Sequence, residues 1–145
     1  MGEILNLRWQ QVDMKRRMVH LGGSGEFKTK TRQSRSVPLN ASSLAVLERL
    51  SGRKGERVFL KRGHPITKDN LTHRFKKAVR TAELSDDLHF HSLRHTFASW
   101  LVQDGVSLYQ VGRLLGHTTA RTTEIYAHLQ PETMHDVVDR LTFSK

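Results

Sequence analysis

The chain has 145 residues, 37% of them hydrophobic, no cysteine and a formal net charge of +10. That length can bury a real core as one domain, and the absence of cysteine excludes a disulfide framework and a thiolate metal site. No apolar run approaches a membrane span and no signal-peptide pattern opens the chain, so the residues read as cytoplasmic, with no membrane association expected.

The charge is unevenly placed. Residues 1–85 hold 19 Lys and Arg against 7 Asp and Glu, whereas residues 86–145 hold 5 against 7. A one-sided positive excess suits a polyanionic partner, although a basic soluble surface is the plainer reading and charge alone does not choose DNA over RNA or an anionic membrane.

In chain order, Glu3, Ile4, Leu5 and Leu7 read as the later part of a helix, and Trp9 to Asp13 leads into a strand over Met14–Leu21 with Lys15, Arg16 and Arg17 at a turn or edge. Gly22, Gly23, Ser24 and Gly25 make a loose turn. Residues 26–31 and 34–39 read as two β arms closed by Arg32 and Gln33, and Asn40 or Ser42 can cap a helix that runs to about Leu50 with Leu44, Leu47 and Leu50 inside. Arg57 to Leu60 reads as a short strand or extended segment and Lys61 to Pro65 as a turn. Leu71, Phe75, Ala78, Val79 and Ala82 then fall on one apolar helix face, opposite Lys68, Arg74, Lys76, Lys77 and Arg80. A charged face is usually just solvated, but its basic bias suits contact with phosphates.

The stretch from His89 to Tyr126 carries the chemistry. Leu93, Phe97, Trp100 and Leu101 predict the core side of a helix ending near Asp104-Gly105. His91 and Arg94 are three apart at its start, so they share a face where unpaired N–H groups favour an anion. Ser107 predicts the cap of a second helix, with Leu108, Val111, Leu114 and Leu115 inside and Gly116 as its stop. His117 follows that stop, and Tyr126 lies on a short helix nine residues further on. Pro131 opens a last helix striped by Met134, Val137, Val138 and Leu141.

A tyrosine hydroxyl with a reference pKa of about 10 is a poor nucleophile at neutral pH unless positive charge surrounds its target. An arginine fork matches two phosphate oxygens, and histidines donate or move protons, so the group suits attack on a phosphodiester. A metal site is the weaker reading. His91 and His95 are spaced i, i+4, but Ser92 stands where a His-Glu-x-x-His motif needs glutamate, which leaves His95 as a packed or hydrogen-bonding histidine.

The residues also resemble a known family. His91-Ser92-Leu93-Arg94-His95-Thr96-Phe97-Ala98, Leu114-Leu115-Gly116-His117 and Tyr126-Ala127-His128 look like the tyrosine recombinases, or phage integrase family. Upstream, Gly2 to Trp9 through Val12-Asp13 resembles the segment after that family's first catalytic arginine, and Thr29-Lys30-Thr31 through Arg35 to Leu39 resembles its lysine-bearing β-hairpin. The resemblance implies an α+β, mainly α-helical catalytic-domain fold over 1–145 with a small antiparallel β-sheet or hairpin near the N-terminus. It also implies that the first helix, the first catalytic arginine and a separate N-terminal DNA-clamping domain are missing, leaving the chain weak or inactive alone.

The function so implied is site-specific DNA recombination through a 3′-phosphotyrosyl intermediate, with neither metal nor other cofactor. Tyr126 is the nucleophile. Arg94 neutralises charge on the phosphate, His91 assists proton transfer, His117 contacts the phosphate, Lys30 protonates the leaving 5′ oxygen and Glu3 supports the others. Lys28, Arg32, Arg35, Arg74 and Lys77 are the expected DNA contacts, double-stranded DNA is the expected partner, and the last helix is expected to join four copies on it. The alternatives are a DNA-binding module without chemistry and a type IB topoisomerase, which shares the tyrosine chemistry but acts as a monomer.

Overall fold

The computed structural model describes residues 1–22, 34–52, 55–131 and 138. The expectations for Lys28, Lys30, Arg32, the first β arm and most of the last helix therefore fall outside the described residues. The chain divides into two compact units, Met1–Phe90 and His91–Lys145.

The first unit opens with α1 (Gly2–Leu5), followed by a 3₁₀ turn at Trp9–Gln11. Strands β1 (Val12–Asp13), β2 (Met18–Leu21) and β3 (Arg35–Pro38) make an antiparallel sheet in that order, with Val19 opposite both Val12 and Val37. The single strand expected over Met14–Leu21 is thus half of a hairpin. The Asp13 carboxylate accepts from the Arg16 N–H at 2.8 Å, and Arg17 takes a positive φ of 54°, so the turn closes through the basic residues.

Helix α2 (Ala41–Ser51) starts where Asn40 Oδ1 accepts from the Ser43 N–H at 2.9 Å. Leu7, Val19, Leu47 and Val58 form the unit's buried core, flanked by Trp9, Val12, Leu39 and Phe59. Arg57 to Leu60 is not a continuous strand. Arg57 bridges antiparallel to Arg8 and the Val58 N–H donates to the Leu7 carbonyl at 2.9 Å, while Leu60–Lys61 (β4) pairs with His64–Pro65 (β5). The expected turn is therefore a two-residue hairpin whose centre, Arg62 and Gly63, takes φ of 51° and 81°, the left-handed pair that matches strand twist. Helix α3 (Lys68–Thr81) is capped by Thr67 and buries Val79, with Leu71 and Phe75 half-buried. Ala78 and Ala82, expected on its core face, are exposed.

The second unit holds α4 (Ser92–Gln103), α5 (Leu108–Leu115), α6 (Arg121–Glu124) and a 3₁₀ turn at Ala127–Leu129. Its core is Ala98, Val102, Val111, Leu115 and Tyr126. The core face of α4 differs from the one read from sequence. Leu93, Phe97 and Trp100 are 51%, 45% and 69% exposed, whereas Ala98 and Val102 are fully buried and Leu101 is half-buried. Small side chains let α4 and α5 pack closely, and this outweighs the size of the apolar groups on the other face. The caps agree with expectation: Ser107 accepts from the Gln110 N–H, and Gly116 ends α5 in the left-handed region at φ 72°.

Candidate active site

Helix α4 presents His91 at its N-cap position and Arg94 and His95 within its first turn. Arg94 Nη2 donates to the Leu115 carbonyl at 2.6 Å. That carbonyl ends α5 and has no helical N–H ahead of it, so a cation completes the helix end and is itself held in place.

Beyond Gly116 the chain doubles back, and the His117 N–H donates to the Gly112 carbonyl at 3.0 Å. His117 is half-buried, with Nδ1 2.8 Å from Oγ1 of Thr123 on α6. Tyr126 follows, its ring in the core and its residue only 6% exposed. The polar tip is not stranded there, because the hydroxyl lies 2.7 Å from His95 Nδ1. The His95 ring in turn meets His91 edge-on, with centroids 5.2 Å apart.

Burial sets the electrostatics first, and one cation modifies its effect. Desolvation holds His117 below its ordinary value of 6.5, and the Arg94 guanidinium lowers it further. Desolvation also lowers His91, with His95 and Arg94 adding to it. Burial raises the Tyr126 phenol, and Arg94 works against that rise. Arg94 therefore acts on both histidines and on the tyrosine, and the four residues form one electrostatic group. A uncharged pair of imidazoles beside a fixed guanidinium can offer N–H donors and proton acceptors to an anion that the guanidinium attracts.

His91, Arg94, His117 and Tyr126 are thus brought together in the second unit. Lys30, Lys28 and Arg32 lie outside the described residues. Glu3 and Arg35 are joined to each other in the first unit by an ion pair of 2.8 Å. Arg74 and Lys77 are exposed on α3, where with Lys61 and His73 they line an open groove of about 750 Å³. Among the described residues, no group of three His, Asp or Glu could hold a metal ion, and no helix is long and apolar enough to cross a membrane. Two residues gain a place that sequence reasoning did not assign them. His95 was legible only as a hydrogen-bonding histidine, and Thr123 sits unmarked in a threonine-rich stretch.

A family model described as the phage integrase family matches residues 1–133. The chain belongs to the phage integrase family. This integrase-family chain is 31% identical over 146 residues to tyrosine recombinase XerD of Pseudomonas aeruginosa, covering 94% of this chain and 47% of that one. It is 31% identical over 141 residues to the integrase of Salmonella phage P22, covering 90% and 36%. The chain thus spans about half the length, or less, of these curated relatives. Among solved structures, the Tn1549 transposon integrase in complex with a circular intermediate DNA matches with a TM-score of 0.77 at 22% identity, over 96% of this chain and 53% of that one. The catalytic domain of bacteriophage HP1 integrase matches with a TM-score of 0.68 at 26% identity, over 95% and 71%. The mainly helical α+β catalytic-domain fold expected from sequence is the fold observed.

Proposed function

We propose that this chain supplies the chemistry of site-specific DNA recombination, breaking and rejoining duplex DNA through Tyr126. The observation that carries the reading is geometric: His95 Nδ1 lies 2.7 Å from the Tyr126 hydroxyl and the His95 ring meets His91 edge-on, while Arg94, one residue before His95, is held on the Leu115 carbonyl two residues before His117. Relatives named as recombinases and integrases, and a related integrase solved with DNA, support duplex DNA as the substrate.

In the proposed step the Tyr126 oxygen attacks the scissile phosphorus, and the bond from phosphorus to the 5′ oxygen breaks. A 3′-phosphotyrosyl ester forms, and a 5′ hydroxyl from the partner strand reverses the step and completes the exchange. The phenol proton passes to Nδ1 of His95, with His91 beside it as a second imidazole. Arg94 neutralises charge that grows on the phosphate oxygens, and His117 donates to one of them. Protonation of the leaving oxygen by Lys30, support from Glu3, and DNA contacts from Lys28, Arg32, Arg35, Arg74 and Lys77 belong to the same proposal and rest on the family resemblance and on charge. So does assembly of four copies through the stripe of Met134, Val137, Val138 and Leu141. An enzyme acting on DNA in this way belongs in the cytoplasm.

The burial of Tyr126 favours a second reading, a DNA-binding module without chemistry. A pool of nicked duplexes of randomised sequence separates the two. Because the chain is expected to be weak alone, the enzymatic reading expects a slowly accumulating, denaturation-resistant protein–DNA adduct from the wild-type chain that Tyr126→Phe abolishes without loss of DNA affinity. DNA retention with no adduct from the wild-type chain even after prolonged incubation with excess nicked DNA would sink that reading in favour of the binding module.

A further inference from the structure

We propose that Thr123 is a positioning residue: its hydroxyl sets which nitrogen of His117 carries the proton, and its carbonyl ties that arrangement to the main chain of Tyr126. The functional meaning of this assignment rests on the enzymatic reading above, but its geometry does not.

Thr123 is 2% exposed, the most buried polar residue described, and its Oγ1 lies 2.8 Å from His117 Nδ1. Among the described residues, that ring nitrogen is the hydroxyl's hydrogen-bond partner. A buried O–H that finds no acceptor bears the full loss of its hydration, so the hydroxyl donates and Nδ1 accepts. A neutral imidazole accepting at Nδ1 holds its proton at Nε2. Burial and the Arg94 charge both disfavour a second proton on His117, which keeps the ring in that neutral form. The result is a fixed Nε2–H on the side of the ring away from Thr123, ready to donate to a phosphate oxygen.

Two further contacts make the arrangement rigid. Gly112 is buried in α5, and a Cβ at that position would stand 2.8 Å from Thr123 Oγ1. The absence of a side chain there, unfavourable within a helix, leaves the room the threonine hydroxyl occupies. The same Gly112 supplies the carbonyl that accepts the His117 N–H. On the other side, the Thr123 carbonyl accepts the Tyr126 N–H at 3.0 Å. One threonine thus joins the side chain of His117 to the backbone of the nucleophile.

Ring-nitrogen NMR of His117 in the full chain, without DNA, tests this directly. The wild-type chain and Thr123→Ser are expected to show the proton on Nε2. Thr123→Val, which keeps the shape and removes the donor, is expected to give a mixture of tautomers. Gly112→Ala, which keeps the hydroxyl but displaces it, is expected to do the same and serves if the valine variant fails to fold. A proton on Nδ1 in the wild-type chain, or an unchanged tautomer in a folded Thr123→Val or Gly112→Ala chain, overturns the proposal. With nicked DNA, Thr123→Val is expected to form the Tyr126 adduct about tenfold more slowly at unchanged DNA affinity, the scale of one hydrogen bond. If the tautomer responds as stated but no variant or wild-type chain forms an adduct, the positioning assignment stands and the enzymatic reading falls.

Discussion

The hydroxyl of Tyr126 lies 2.7 Å from Nδ1 of His95, although the two residues are 31 positions apart in the chain. This contact gives a buried phenol its polar partner and stands an imidazole nitrogen against the proposed nucleophile. His95→Ala is expected to slow adduct formation by about 10²–10⁴, the usual range for losing a positioned acid or base. DNA affinity should be retained, and added imidazole should restore part of the rate. A variant that forms adduct at the wild-type rate would remove His95 from the chemistry.

Acid should weaken the second unit. His91 and His117 both have folded-state pKa values below the ordinary 6.5. The unfolded chain therefore binds more protons than the folded one between those lowered values and 6.5, and stability rises with pH through that window. The contribution is present above 6.5 and lost as pH falls through the folded values. Tyr126 acts at the other end of the scale. Its raised pKa stabilises the fold below about 10 and ceases to do so as pH climbs through the raised value. Melting temperatures measured across pH should show an acid limb that His117→Gln makes shallower, and an unaltered limb in that variant would contradict the assignment.

Arg94 is expected to resist conservative replacement. Arg94→Ala removes both the donor to the Leu115 carbonyl and the charge that lowers His117, so the His117 titration midpoint should move upward. Arg94→Lys should keep much of that midpoint, because the charge remains, yet lose most of the adduct, because the two-pronged donor is gone. A loss of about 10³–10⁵, the range for an arginine in phosphoryl transfer, sets the scale. Wild-type rates in the lysine variant would show that charge alone suffices.

The groove beside α3 should bind without reading sequence. Arg74→Ala and Lys77→Ala are each expected to weaken DNA binding evenly across sequences and to reduce the salt slope by about 1. Titrations at several salt concentrations check this, and an unchanged slope would place the groove away from the DNA backbone.

Much of this molecule was legible before any coordinates. Asn40 and Ser107 lie where caps form, and Gly116 takes the left-handed turn that glycine adopts without strain, because these signals act within a few residues of backbone. The order of His91, Arg94, His117 and Tyr126 similarly pointed, through residue type and spacing, to the phosphate chemistry proposed above. The hairpin at Met14–Arg17 was less legible, since three adjacent basic residues fit an exposed strand edge as well as a turn.

What the sequence determined by itself was therefore local: where helices begin and stop, and which reactive groups the chain carries. Tertiary structure alone decided that Ala98 and Val102, not Phe97 and Trp100, face the core, that His95 meets Tyr126, and that Thr123 meets His117. Periodicity marks an apolar face but does not say which of two faces a neighbouring helix will cover. That choice depends on close packing between side chains distant along the chain, and a hydrogen bond across such an interface exists only once the packing has placed both partners.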